Sequence, residues 1–169
     1  MAGFIIPTLR TDRLILRPLA LDDTSPLQIA LDDPKVWRYF PLSQVPDLKR
    51  TQSYIEGQLS HWNEYGLGHW AVEETDHTLI GWCGLQFLSD TVETEVAYCL
   101  GKPFWGKGYA TEAAKASLDF GFQELPIKEI IGLTHLANKA SQNVLMKIGM
   151  KFVDTRRYFG MECYRFRIP

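Results

Sequence analysis

The chain has 169 residues, 46% of them hydrophobic and 22% charged, enough for one domain with a sizeable core and unlike a disordered or fibrous chain. A formal net charge of −2 argues against nonspecific binding of duplex nucleic acid, which demands a basic surface. No stretch approaches the ~20 apolar residues of a membrane-spanning helix, and the three scattered cysteines offer neither a disulfide framework nor a zinc spacing.

Near the start, the apolar run Phe4-Ile5-Ile6 is too short for a signal peptide and Pro7 ends it. With His61, His69, His77 and His135 showing no metal spacing, the expectation is a reduced, cytoplasmic protein without metal, membrane contact or direct nucleic-acid binding, either monomer or homodimer.

Leu14-Ile15-Leu16 reads as a first strand closed by Pro18. Ser25-Pro26 has the form of an N-cap followed by a first-turn proline, opening a short helix that ends before Asp33-Pro34. Val36 to Pro41 is an aromatic, loop-like stretch. A second helix is expected from Asp47 to about Tyr65, where Tyr54, Ile55, Gln58, Leu59 and Trp62 recur at helical spacing and Gly66 and Gly68 stop it. Strands beginning at His69, Thr78 and Thr94 follow as an antiparallel meander.

A long helix comes next, with Ala110, Ala113, Ala114, Ser117, Leu118, Gly121 and Phe122 on one stripe. Glu129 to Leu136 is a strand, and a strand–helix–strand unit of this length implies a parallel pair. A further helix from about Lys139 to Ile148 ends at Gly149. Lys151–Tyr158 and Met161–Ile168 form a closing hairpin around Phe159-Gly160. The result is one α+β domain with a mixed sheet.

The most informative stretch is Gly101-Lys102-Pro103-Phe104-Trp105-Gly106-Lys107-Gly108-Tyr109-Ala110. A strand leading through glycines into a helix exposes unpartnered N–H groups to an anion; the alternative is a turn that merely packs strand against helix. As a P-loop it fails at its eighth position, where the Ser or Thr needed for Mg²⁺ is Gly108.

The stretch Trp105–Ala110 resembles instead the acyl-coenzyme A signature Q/R-x-x-G-x-G/A of the GCN5-related N-acetyltransferases (GNAT). Trp105 stands where Gln or Arg is usual. That departure is similar to the branch of ribosomal-protein N-terminal acetyltransferases, the RimJ/RimL-like group. "TDRLILRPL", "LIGWCGL", "EVAYCLGKPFWGKGYATEA" and "NKASQNVLMKIGMKF" follow in the same order, so the resemblance covers nearly the whole chain.

The resemblance implies a mostly antiparallel sheet with a central splayed parallel strand pair, helices on both faces, and acetyl-CoA as acyl donor to a primary amine, either a protein N-terminus or a small molecule. It implies that pantetheine enters between the strands near Cys99 and Leu100. The pyrophosphate would rest on Trp105, Gly106, Lys107, Gly108, Tyr109 and Ala110. Asn138 would bond the pantetheine, and Ser141 would lie by the sulfur. Asn138 also suits a plain helix cap.

Strand alternation puts Glu95 on a face with Ala97 and Cys99. It is the candidate base, or else a solvent-facing strand glutamate or an ion-pair partner. An acyl-cysteine on Cys99 is less apt than a small buried thiol. Trp37, Tyr39 and Phe40 are candidates for an acceptor wall, against the alternative that they fill the core. Asp22, Asp23, Asp32 and Asp33 hint at an acidic rim. A noncatalytic acyl-CoA-binding module of the same fold is the competing function.

Overall fold

In the computed structural model, which describes residues 4–169, the chain runs β1 (Leu9–Arg10), β2 (Leu14–Pro18), α1 (Thr24–Ala30), α2 (Pro34–Trp37), α3 (Leu48–Tyr65), β3 (His69–Glu74), β4 (Leu79–Leu88), β5 (Glu93–Leu100), α4 (Tyr109–Glu124), β6 (Ile130–His135), α5 (Lys139–Lys147), β7 (Lys151–Tyr158) and β8 (Met161–Ile168). Single 3-10 turns, Leu21–Asp23 and Lys102–Phe104, precede α1 and α4. All eight strands form one sheet in the order β1-β2-β3-β4-β5-β6-β8-β7. Among the described residues only β5 and β6 pair in parallel.

The expected elements form for the expected reasons, with local exceptions. Asp47 caps α3 by accepting from the Arg50 N–H, and Gly66, at φ 69°, ends it. Thr51, Ile55, Gln58 and Trp62 are its buried stripe, spaced to fall on one side of a helix. The α4 stripe is buried at Ala113, Ala114, Ser117, Leu118 and Gly121, with Phe120 joining it while Ala110 and Phe122 are only half-buried.

Ser25 does not cap α1. The helix already begins at Thr24, continuing the 3-10 turn before it. Asp23, at the cap position, turns its carboxylate to the Arg17 guanidinium at 2.8 Å and to the Ala20 N–H. The aromatic stretch is partly helical rather than loop, because Asp33 accepts from the Lys35 N–H and Pro34 opens the turn of α2.

Helices cover both sheet faces. α4 and α5 lie over Val72, Leu85, Val96 and Ile130, while α1 and α2 pack with Ile55 of α3 over Ala71, Trp82 and Cys99. Each buried Leu or Ile contributes about 1.5–3 kcal/mol. Among the described residues, no helix is long and apolar enough to cross a membrane.

Candidate active site

The site begins where the sheet comes apart. β5 and β6 pair only at Glu95↔Ile131 and Val96↔Gly132. Beyond those residues β5 stays with β4 as far as Leu100, and β6 stays with β8 as far as His135. The inner edges therefore diverge, and a cleft of about 620 Å³ opens between them.

The Gly101 N–H donates to the Ile80 carbonyl at 2.8 Å, so strand alternation turns the N–H groups of Tyr98 and Leu100 into the opening. Cys99, paired with Trp82, points its N–H toward β4 by the same alternation. Of these backbone N–H groups, those of Tyr98 and Leu100 face the opening and that of Cys99 does not.

At one end of the cleft lies the glycine turn. Gly106 and Gly108 have φ of 73° and 80°, a left-handed conformation that side chains resist. A Cβ on Gly106 would meet nothing within 4 Å, so backbone geometry, not packing, favours glycine there. Gly108 is the N-cap of the 16-residue α4 and supplies no capping side chain, which leaves the first N–H groups aimed outward.

Trp105 braces the turn by donating its indole N–H to the Leu100 carbonyl at 2.8 Å. Lys107 extends over the Phe104 ring, 5.6 Å from its centre, and Lys102 pairs with Asp33 at 3.8 Å.

A second brace was not expected from sequence. Glu112, in the first turn of α4, accepts from the Thr11 hydroxyl at 2.6 Å, the Arg13 N–H at 2.9 Å and the Arg13 guanidinium at 2.8 Å. Arg13 also donates to the Lys107 carbonyl at 2.8 Å. The segment after β1 thereby fixes the glycine turn from 94 or more residues away. Spacing along the chain carries no signal of that contact.

Glu95 sits on the sheet face away from α4, where the cleft also shows Ala97, Cys99, Leu133 and Cys163. It is 7% exposed. Burial, with the nearby Glu93 charge adding, pushes its carboxyl from 4.5 up to about 8. The ion-pair role belongs to Glu93, which binds Arg165 at 3.0 Å and accepts from the Tyr158 hydroxyl at 2.7 Å. Cys99 is buried, and burial raises its thiol well above the ordinary range; a thiol so held is a poor nucleophile.

Across the split, Asn138 caps α5 by accepting from the Ser141 N–H at 3.2 Å. The Ser141 hydroxyl lies 2.7 Å from the Tyr98 hydroxyl. Both Asn138 and Ser141 line the cleft. Tyr98 is a site residue that the sequence reading did not name as a candidate.

At the other end, Tyr39 and Phe40 wall the cleft, and Tyr39 packs on His135 at 5.0 Å. Trp37 turns away. Its indole donates to the Leu31 carbonyl at 2.6 Å and borders a separate apolar pocket of about 230 Å³. Phe159, at the tip of the β7–β8 hairpin, supplies the facing wall. The aspartates form no rim. Asp23 is buried against Arg17 and Asp33 caps α2; the charged residues here that line the cleft are Lys35 of α2 and Arg38 just after it. Among the described residues no cluster could hold a metal.

A family model described as "Acetyltransferase (GNAT) domain" matches residues 13–151. A Bacillus licheniformis protein described as an uncharacterized N-acetyltransferase, p20, is 31% identical over 147 residues, covering 85% of this chain and 82% of the relative. The crystal structure of an acetyltransferase from Agrobacterium tumefaciens superposes with a TM-score of 0.84 at 27% identity, covering 100% of this chain and 98% of that one. A ribosomal L7/L12 α-N-protein acetyltransferase, RimL, solved with coenzyme A, shares the fold at a TM-score of 0.80 and 17% identity over 98% of this chain and 97% of its own. The chain belongs to the GNAT acetyltransferase family, and it is an N-acetyltransferase.

Proposed function

We propose that this enzyme moves an acetyl group from acetyl-CoA to a primary amine, on a protein N-terminus or a small molecule, by direct attack in a ternary complex. One observation carries the reading: a buried carboxyl with no ion-pair partner among the described residues, Glu95, opens onto one side of the strand split while Asn138 and Ser141 line the other. A noncatalytic binding module has no use for such a carboxyl, whose burial in water-poor surroundings is costly.

The residues suit acetyl-CoA as donor. N–H groups from Gly106 to Ala110 would hold the pyrophosphate, aided by the charge of Lys107. The inner edges of β5 and β6 offer backbone groups to the pantetheine, with Leu100, Cys99 and Asn138 beside it. The coenzyme A bound by RimL is consistent with this.

In the reaction, Glu95 accepts one proton from the acceptor ammonium, directly or through water, leaving a neutral amine. The amine lone pair forms the C–N bond, and the carbonyl oxygen takes negative charge facing the Tyr98 or Leu100 N–H. Collapse breaks the C–S bond, the electron pair goes to sulfur beside Ser141, and the nitrogen sheds its second proton to solvent. Tyr39, Phe40 and Phe159 would flank the incoming amine.

Release of free thiol from acetyl-CoA tests this, measured against peptides with free N-termini and against small amines. Amine-dependent release supports the reading. Tight acetyl-CoA binding without release for any acceptor supports the binding module instead.

A further inference from the structure

The last paired residues before the split are Val96 and Gly132. Two positions further along each strand stand Tyr98 and Thr134, which by alternation remain on the side of Val96 and Gly132. That side faces α5: a Cβ on Gly132 would lie 2.6 Å from a Leu145 methyl, and the Tyr98 hydroxyl reaches Ser141 at 2.7 Å. Tyr98 and Thr134 therefore oppose each other across the mouth of the split, and both line the cleft with Ser141.

Thr134 is 3% exposed, and its Oγ1 is buried with no hydrogen-bond partner among the described residues. Buried hydroxyls are nearly always partnered, so an orphan on a ligand cleft calls for an explanation. The other buried orphan, His69 Nε2, belongs to a ring stacked on Trp82 at 4.4 Å and off the cleft.

Resting on the transferase reading above, we propose that Thr134, Ser141 and Tyr98 form the receiving site for the leaving sulfur. Thr134 and Ser141 donate their hydroxyl hydrogens to it. Tyr98 is a positioning residue: its hydroxyl lies 2.7 Å from Ser141 Oγ, with either oxygen able to donate, and 3.2 Å from the Ser141 carbonyl; in the proposed arrangement it gives its hydrogen to Ser141 Oγ once the sulfur arrives, which leaves the serine's own hydrogen free for the sulfur.

When the C–S bond breaks and its electron pair settles on sulfur, both hydroxyls keep their protons and stabilise the thiolate by hydrogen bonding. The proton that finally makes the thiol is the one the acceptor nitrogen sheds through solvent. Tyr98 stays neutral throughout, since burial holds its hydroxyl well above the ordinary tyrosine range despite the opposing Ser141 bond. Without Tyr98, the Ser141 hydroxyl loses the partner that fixes its rotamer.

Tyr98→Phe and Thr134→Val preserve shape while removing one hydroxyl each. In either variant kcat is expected to fall roughly 10- to 100-fold, with KM for acetyl-CoA changed by less than about threefold. The deciding measurement is the pKa of the thiol of bound coenzyme A, read from ultraviolet thiolate absorbance against desulfo-coenzyme A as blank. It should lie below the free-solution value in the wild type and return toward it in each variant, a change that loss of packing does not produce. An unshifted thiol in the wild type, or variants that keep the wild-type shift, overturns the proposal. If coenzyme A binds with a depressed thiol pKa but no amine is acetylated, the transferase reading fails while the sulfur site stands.

Discussion

Replacing Glu95 with Gln separates the cost of the site from its use. In the folded protein the carboxyl titrates at about 8 instead of 4.5. Between those values the unfolded chain has ionised Glu95 and the native protein has not. The native state then binds the extra proton, so stability falls as pH rises. At about 1.4 kcal/mol per pH unit, the gap amounts to roughly 4–5 kcal/mol by pH 8, a loss complete once the folded group ionises. Glu95→Gln lacks this term. Its stability relative to wild type, from urea unfolding at pH 5.5, 7.0 and 8.5, should therefore climb with pH by several kcal/mol. The same variant should lose roughly 10²–10⁴ in kcat, and the wild-type rate should rise through an apparent pKa near 8. A stability difference that is flat with pH, or a variant of undiminished rate, refutes the reasoning.

Glu112→Ala removes the brace on the glycine turn. With Arg13 half-exposed the loss is about 1 kcal/mol, or about 2–4 °C in Tm by calorimetry, and a several-fold rise in KM for acetyl-CoA should accompany it. Trp105→Phe frees the Leu100 carbonyl at the cleft edge and is expected to weaken acetyl-CoA binding a few-fold in a titration, with kcat at saturation close to wild type. Direct attack predicts no acetyl thioester on Cys99, so the intact mass after exposure to acetyl-CoA alone should not rise by an acetyl group.

Most of the fold was legible because its signals are local. Helical stripes, the Asn138 cap and the strand parity of β5 are all written in residues a few positions apart. The hairpin of β7 and β8 announced itself through Phe159-Gly160, both of which take positive φ. The misreading at Ser25 shows the limit: the proline rule found a helix start, but the preceding 3-10 turn and the Arg17–Asp23 pair moved it. The site divides in the same way. Gly106, Gly108 and Asn138 lie in short motifs, whereas Arg13 with Glu112, Tyr98 with Ser141 and Thr134 across from Tyr98 meet only through the sheet. Trp37 belonged to a legible aromatic cluster, yet only the fold decides which rings face the cleft.

The central claim is that the glycine turn and strand split bind acetyl-CoA for transfer to an amine. Its most direct test is calorimetric titration of acetyl-CoA into the wild type, Gly106→Asn and Gly106→Asp. Both side chains tolerate the left-handed backbone of this turn, and the position is open. Only aspartate places negative charge where the pyrophosphate should lie. The account predicts tight binding by the wild type, a modest loss with Asn and a further loss of at least tenfold with Asp, about 1.4 kcal/mol or more. Equal binding by the Asn and Asp variants, or none by the wild type, contradicts it.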